Sequence, residues 1–245
     1  MLKTSSRIIY RSTFLFTAII AGCLFTPFFQ KGHMPRQSMS AKLTCWWHKR
    51  VLGALGIKIS IHGTPSDITT LFVANHLSWI DIHLIGSHLP VRFLSKAEVK
   101  DWPVFGWLAS KAGTLYIPRG SKTASIEANK IMQQTLLDDQ HVVLFPEATT
   151  SDGNIKRFHS RLIQSAIDAE CLVQPVAIRY PDENGNMHEA ALYIGDMSVT
   201  QSIKNIITTK GIVAELHFLE PIDTQGKSRD ELARYAEERV KGVFG

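Results

Sequence analysis

Apolar positions along this chain change period twice, and each change predicts a different kind of element. Residues 12–29 run for eighteen positions without a charge, rich in Phe, Leu and Ile, with Arg11 before them and Lys31 after. That length sits at the threshold for crossing a bilayer. Pro27 near the end and basic flanks on both sides fit insertion into one leaflet equally well, so a spanning and a monotopic helix are both open. Residues 38–57 read as a second helix, in which Leu43, Trp46, Trp47, Val51 and Leu55 form a stripe at roughly helical spacing. Adjacent indoles beside Lys42, Lys49 and Arg50 suit the headgroup region, with ordinary core packing as the alternative.

Beyond the turn signal Gly63-Thr64-Pro65 the pattern becomes one of short buried runs. Residues 71–74, 91–94, 114–117, 142–145 and 173–178 predict strands, with helices near 124–137 and 158–169 between them. A helix opens after Asn75-His76, with Ser78 as its N-cap and Ile80, Ile82, Leu84 and Ile85 as its apolar positions. Residues 191–194 and 213–218 predict two further strands. The capping-box pattern Ser228-Arg229-Asp230-Glu231 opens a closing helix over 232–240. Strands alternating with helices predict an α/β fold, a mostly parallel sheet flanked by helices, behind an N-terminal membrane-associated helical segment. The division is 1–60 for that segment and 61–245 for one domain, since 245 residues suffice for a single sizeable core.

Charge sharpens the first segment. Residues 1–66 contain nine Lys or Arg and no acidic residue before Asp67, so the net charge of +5 is an N-terminal property. Anionic lipid headgroups fit this distribution better than nucleic acid does. The stretch Ile20-Ala21-Gly22-Cys23 imitates a lipoprotein signal, but the apolar run continues past Cys23; an organelle presequence would carry a shorter one. Three cysteines with no Cys-x-x-Cys pair argue for a reducing compartment and against a disulfide framework or zinc ribbon. Together these features predict the cytoplasmic face of the inner membrane.

Candidate chemistry lies at the end of the first buried strand. In His76-Leu77-Ser78-Trp79-Ile80-Asp81 an imidazole stands at a strand's C-terminal end and a carboxylate in the first turn of the next helix. Imidazole is the right base for an alcohol near neutral pH, and a neighbouring carboxylate fixes its tautomer. Spacing alone is weak: chance supplies roughly half a His-x4-Asp match in such a chain. His62 and Asp67 repeat the spacing in a turn where nothing positions them. Asp81 also fits a plain N-capping role as Ser78-x-x-Asp81. His83 and His88 lack a third ligand pattern, so no metal is expected.

Four blocks in order lend the motif weight. Asn75-His76-x4-Asp81, Gly113-Thr114-Leu115-Tyr116-Ile117-Pro118-Arg119, Leu144-Phe145-Pro146-Glu147-Ala148-Thr149-Thr150-Ser151 and Val173-Gln174-Pro175-Val176-Ala177 resemble the successive motifs of the glycerolipid acyltransferases, such as the bacterial 1-acylglycerol-3-phosphate acyltransferases. The resemblance covers roughly residues 45–200 and includes Trp102-Pro103-Val104-Phe105-Gly106-Trp107 between blocks. It implies His76 as general base and Asp81 as its partner. It implies Arg119, Glu147, Thr149 and Thr150 as substrate contacts and Pro175 on the acyl-chain side. It further implies membrane lipids as partners, acyl-CoA or acyl-carrier protein as co-substrate, and no resident cofactor. The family's third motif usually reads Phe-Pro-Glu-Gly-Thr-Arg, whereas here Ala148 and Thr150 stand in for the Gly and the Arg. Ala148 implies either no demand for positive φ or local strain. The missing Arg removes a bidentate phosphate donor, for which Lys156 or Arg157 could compensate, and the Thr-Thr-Ser-Asp-Gly form resembles the lyso-ornithine lipid branch. The expected reaction is transfer of an acyl chain to a lysolipid hydroxyl. Hydrolysis by a thioesterase or lysophospholipase, and non-catalytic lipid binding, are the rivals.

Overall fold

Every residue of the strand that precedes His76 is buried, and that run sits at the centre of a seven-stranded sheet. The computed structural model describes residues 4–25, 35–117 and 123–245. In chain order the elements are α1 (Thr4–Phe25), α2 (Met39–Leu55), β1 (Ile57–His62), β2 (Thr70–Ala74), α3 (Ile80–Gly86), β3 (Val91–Lys96), α4 (Phe105–Lys111), β4 (Leu115–Ile117), α5 (Ala124–Leu137), β5 (His141–Leu144), α6 (Gln164–Asp168), β6 (Leu172–Arg179), α7 (Val199–Thr208), β7 (Ile212–Phe218) and α8 (Arg229–Lys241). Strand order is β1-β7-β6-β2-β5-β3-β4. All neighbours are parallel except β6 and β7. The α/β class and the mostly parallel sheet are as expected from the sequence.

Two cores lie on opposite faces of the sheet, because successive side chains of a strand point opposite ways. Phe72 and Ala74 join Val143, Val176 and Ile178 under α2 and α3, with Ile206 of α7. Leu71 and Val73 join Val142, Leu144 and Val173 under α5 and α8. Burial on both faces explains why β2 and β6 read as near-continuous apolar runs.

Residues 57–60, expected in the N-terminal helical segment, belong to edge strand β1, which pairs with β7, and two further elements depart from expectation. Residues 191–194 form no strand: a short 3-10 turn at Glu189–Ala191 leads into extended chain. There the Tyr193 amide bonds the Leu77 carbonyl, so that backbone serves a loop instead of a ladder. The helix expected over 158–169 shortens to a 3-10 turn at Arg161–Ile163 followed by α6.

α1 leaves Ile9, Tyr10, Phe16 and Leu24 exposed along a 22-residue helix, about 33 Å long at the usual rise. Its basic residues, however, face inward. Arg11 donates to the carbonyls of Ile206, Ile207, Thr209 and Lys210 at 2.6–3.3 Å, and Arg7 to that of Thr208 at 2.8 Å. These are carbonyls at and just beyond the C-terminal turn of α7, where a guanidinium supplies missing donors and meets the negative end of the helix dipole. Gly56 permits the approach: it holds φ +74°, and a Cβ there would lie 2.0 Å from the Arg11 guanidinium. Arg36 likewise pairs with Asp139 at 2.6 Å and with the Asp67 carbonyl at 2.5 Å. Lys42, Lys49 and Arg50 of α2 remain exposed.

α2 meets α3 through an aromatic box. His48 Nδ1 lies 2.9 Å from His83 Nδ1, and the Trp47 and Trp79 rings stand 5.5 and 5.7 Å from the His83 ring. Burial holds the His83 imidazole down at about 4, and burial, with Arg36 alongside, does the same to His141. A base depressed in the folded state contributes stability that is complete above its unfolded value near 6.5 and is lost as pH falls through about 4. Calorimetry should therefore show a flat melting temperature above pH 6.5 and a steep fall between 6.5 and 4, shallower in His83→Gln.

Candidate active site

The end of β2 is pinned before His76 begins. Asn75 is buried; its side chain donates to the Ile178 carbonyl at 3.0 Å and accepts from the Ile178 amide at 2.8 Å, extending the pairing of β2 with β6 by one rung. His76 then leaves the sheet, with its amide on Glu147 Oε1 at 2.8 Å and its carbonyl on the Ser151 amide at 2.8 Å. Its ring stacks on Phe145 with centroids 4.1 Å apart. The side chain is 19% exposed, and Nδ1 lies 2.8 Å from Asp81 Oδ2. An Nδ1–H given to a carboxylate leaves Nε2 as the basic nitrogen, free to take a proton from a bound molecule.

Asp81 is fully buried. Oδ2 also accepts from the Leu77 and Ser78 amides at 2.7 and 2.9 Å, and Oδ1 accepts from the Tyr180 hydroxyl at 2.5 Å. The capping role and the histidine-orienting role are thus held by one oxygen. Ser78 does not cap α3 with its side chain, whose hydroxyl has no hydrogen-bond partner. The Asp81 carboxylate, three residues on in the first turn of α3, supplies that function instead. Tyr180 was not foreseen from the sequence. It follows β6 directly, its ring is buried, and burial together with Asp81 keeps its phenol protonated well above the ordinary range. A lone hydroxyl closing an apolar central strand was the available signal.

The third block wraps the same strand end. Glu147 is 4% exposed and gives Oε1 to the His76 amide and Oε2 to the Lys156 amide at 2.9 Å. Burial pushes its carboxyl upward, against those two donors. Ala148 follows with φ +58°, so the strained alternative holds. Thr149 is exposed. Thr150 donates to the Tyr193 carbonyl at 2.5 Å, and the Lys156 ammonium lies 3.4 Å from the Thr150 carbonyl. Pro175 is buried within β6 opposite Val73, its carbonyl accepting from Leu219 at 3.0 Å. Arg119 lies outside the described residues. The rival pair is set apart: His62 stacks on His217 at 4.2 Å and contacts Ser60, while the Asp67 carbonyl binds Arg36.

A family model described as Acyltransferase matches residues 58–179, which include every group around His76 except Tyr180 and Tyr193. The lyso-ornithine lipid O-acyltransferase of Pseudomonas aeruginosa is 41% identical over 83% of this chain and 79% of its own length. This chain belongs to the acyltransferase family. The 1-acyl-sn-glycerol-3-phosphate acyltransferase of Neisseria gonorrhoeae is a further relative of this acyltransferase, 34% identical over 80% of the chain and 78% of its own length. The crystal structure of the 1-acyl-sn-glycerophosphate acyltransferase from Thermotoga maritima shares the fold, with a TM-score of 0.72, 23% identity, and coverage of 98% of this chain and 94% of that one.

The strain at Ala148 is measurable. Ala148→Gly should raise stability to denaturant by about 0.5–1 kcal/mol, since the relief of a left-handed alanine exceeds the extra entropy glycine loses.

Proposed function

We propose that this acyltransferase moves a fatty acyl group from a thioester, acyl-CoA or acyl-carrier protein, to the free hydroxyl of a single-chain lipid of the 1-acylglycerol-3-phosphate type. The reaction takes place at the cytoplasmic face of the inner membrane. The observation that carries the reading is the buried Asp81 carboxylate joined to His76 on one oxygen and Tyr180 on the other. His76 Nε2 takes the proton of the acceptor hydroxyl as its oxygen attacks the thioester carbonyl. The tetrahedral intermediate collapses, the carbon–sulfur bond breaks, and the departing sulfur takes the proton back from the imidazolium. Asp81 stabilises that imidazolium and fixes the ring; Tyr180 is a positioning residue acting through Asp81. Glu147 holds the His76 and Lys156 amides in register and acts through the backbone.

A second acceptor, a lyso-ornithine lipid, is favoured by Thr150. Where the family motif carries a guanidinium, this hydroxyl is committed to the Tyr193 carbonyl, and the Lys156 ammonium stands 3.4 Å from the Thr150 carbonyl as a monodentate donor for a phosphate. The relative from Pseudomonas aeruginosa bears that acceptor in its name.

Thiol release from acyl-CoA by membranes containing the protein, with lysophosphatidic acid and lyso-ornithine lipid offered separately, tests the reading. Release should require one of the acceptors and fall by about 10²–10⁴-fold in His76→Ala. Release of free fatty acid without an acceptor would make the protein a hydrolase and sink the proposal.

Tyr180→Phe keeps the ring and removes one donor from Asp81. It should lower kcat by about tenfold, from a charge-assisted hydrogen bond worth about 1.5 kcal/mol, with KM for the acceptor little changed. A kcat equal to that of the wild type would reduce Tyr180 to packing.

A further inference from the structure

The segment between β3 and β4 turns large apolar side chains outward. Trp102, Val104, Phe105 and Trp107 are 42–47% exposed within six residues. Scattered exposed apolar residues are ordinary, but a cluster containing two indoles marks an interaction surface. Its backbone is also held in an uncommon form. Val104 has φ 62° and ψ −54°, and the Phe105 amide reaches the Pro103 carbonyl at 2.6 Å, closing a γ-turn of the positive-φ kind. A β-branched residue in that region is strained, and strain at an exposed apolar tip points to a use for the side chains it displays.

The cluster is continuous with the apolar helix. Leu108 and Ala112, on the face of α4 that also carries Phe105, line an apolar crevice with Gly22 and Phe25 of α1 and Leu43, Thr44 and Trp47 of α2. The approach is close: a Cβ on Gly22 would lie 3.3 Å from Leu108 and 2.7 Å from the Trp47 indole nitrogen, which donates to the Ala18 carbonyl. Beside it Phe25 meets Trp46 edge-on at 6.0 Å, and Arg50 stands 5.1 Å over the Trp46 ring. The aromatic rim thus runs from the end of α1 across α2 to the tip before α4. Lys96 and Lys100 are offset there by Glu98 and Asp101, so the tip is close to neutral and aromatic burial, not charge, is its attraction.

We infer that the Trp102–Trp107 tip is a second membrane contact, carried by the sheet domain itself, which seats its indoles in the interfacial region of a phospholipid bilayer beside α1. The inference rests on the reading of α1 and α2 as membrane-attached. Two contacts on different elements fix the tilt of the domain over the bilayer, which a single helix cannot do.

The test uses the full chain, wild type and Trp102→Phe/Trp107→Phe, on phosphatidylcholine vesicles with and without brominated acyl chains. Subtracting the variant's emission from the wild type's isolates the two indoles without altering the ring character of the tip. On vesicles this difference emission should shift to the blue, and with brominated chains it should be lost. If both proteins float with the vesicles and the difference emission is the same with either lipid, the tip faces water and the inference is overturned while membrane attachment stands. If neither protein floats, both fail. Protection of the two indoles from acrylamide by an added acyl-carrier protein, and not by vesicles, would assign the face to a protein partner and also overturn it.

Discussion

A fully buried carboxylate dictates the local architecture of this acyltransferase. Asp81 has no solvent to stabilise its charge, and an ionised group so placed is tolerated only when its lone pairs are taken up by donors. It has four: the His76 imidazole, the Leu77 and Ser78 amides, and the Tyr180 hydroxyl. They come from three separate constraints. The imidazole requires β2 to stop at Ala74, and the amides require the chain to turn at once into α3. The hydroxyl requires β6 to lie beside β2 in the register that pairs Ala74 with Val176. Loss of any one leaves a charge unmet in the core, so the catalytic geometry and the stability of the sheet edge have a common origin.

A second buried carboxylate repeats the device one strand away. Glu147 gathers the His76 and Lys156 amides, so the strand ends of β2 and β5 are tied by an acid that contacts backbone only through hydrogen bonds. Tyr193 completes the ring of ties, accepting from Thr150 and donating to the Leu77 carbonyl. The strained Ala148 sits inside this frame, which supplies enough fixed contacts to hold a left-handed alanine in place.

What was legible in the sequence was local. The buried run at β2, the His76 and Asp81 spacing and the capping box of α8 each depend on residues a few positions apart, and each stands in the structure as expected. α7 carries a comparable start signal, Ser198 accepting from the Gln201 amide. What was illegible depended on the fold. Tyr180 matters because a strand 99 residues away in sequence from Asp81 runs beside β2. Arg7, Arg11 and Arg36 read as headgroup cations, yet they cap α7 or pair with Asp139, because only the folded chain brings bare carbonyls to them. Residues 191–194 have the composition of a strand, but the loop after His76 claims their backbone first.

The same contacts join the apolar helix to the site. Arg11 of α1 grips the C-terminal carbonyls of α7, and the middle of α7 receives the Trp79 indole nitrogen on Ser202 at 3.0 Å. Trp79 is the N-cap residue of the helix that carries Asp81. α2 reaches the next turn of that helix through the His48 and His83 rings. Two routes therefore run from α1 and α2 to the carboxylate, and both end on α3. A lipid hydroxyl and an acyl chain are presented from a surface, so the height and angle of the base above that surface matter as much as its basicity. Helix α3, short as it is, bears on both: its first turn orients His76, and its remaining ties reach α2 directly and α1 through α7.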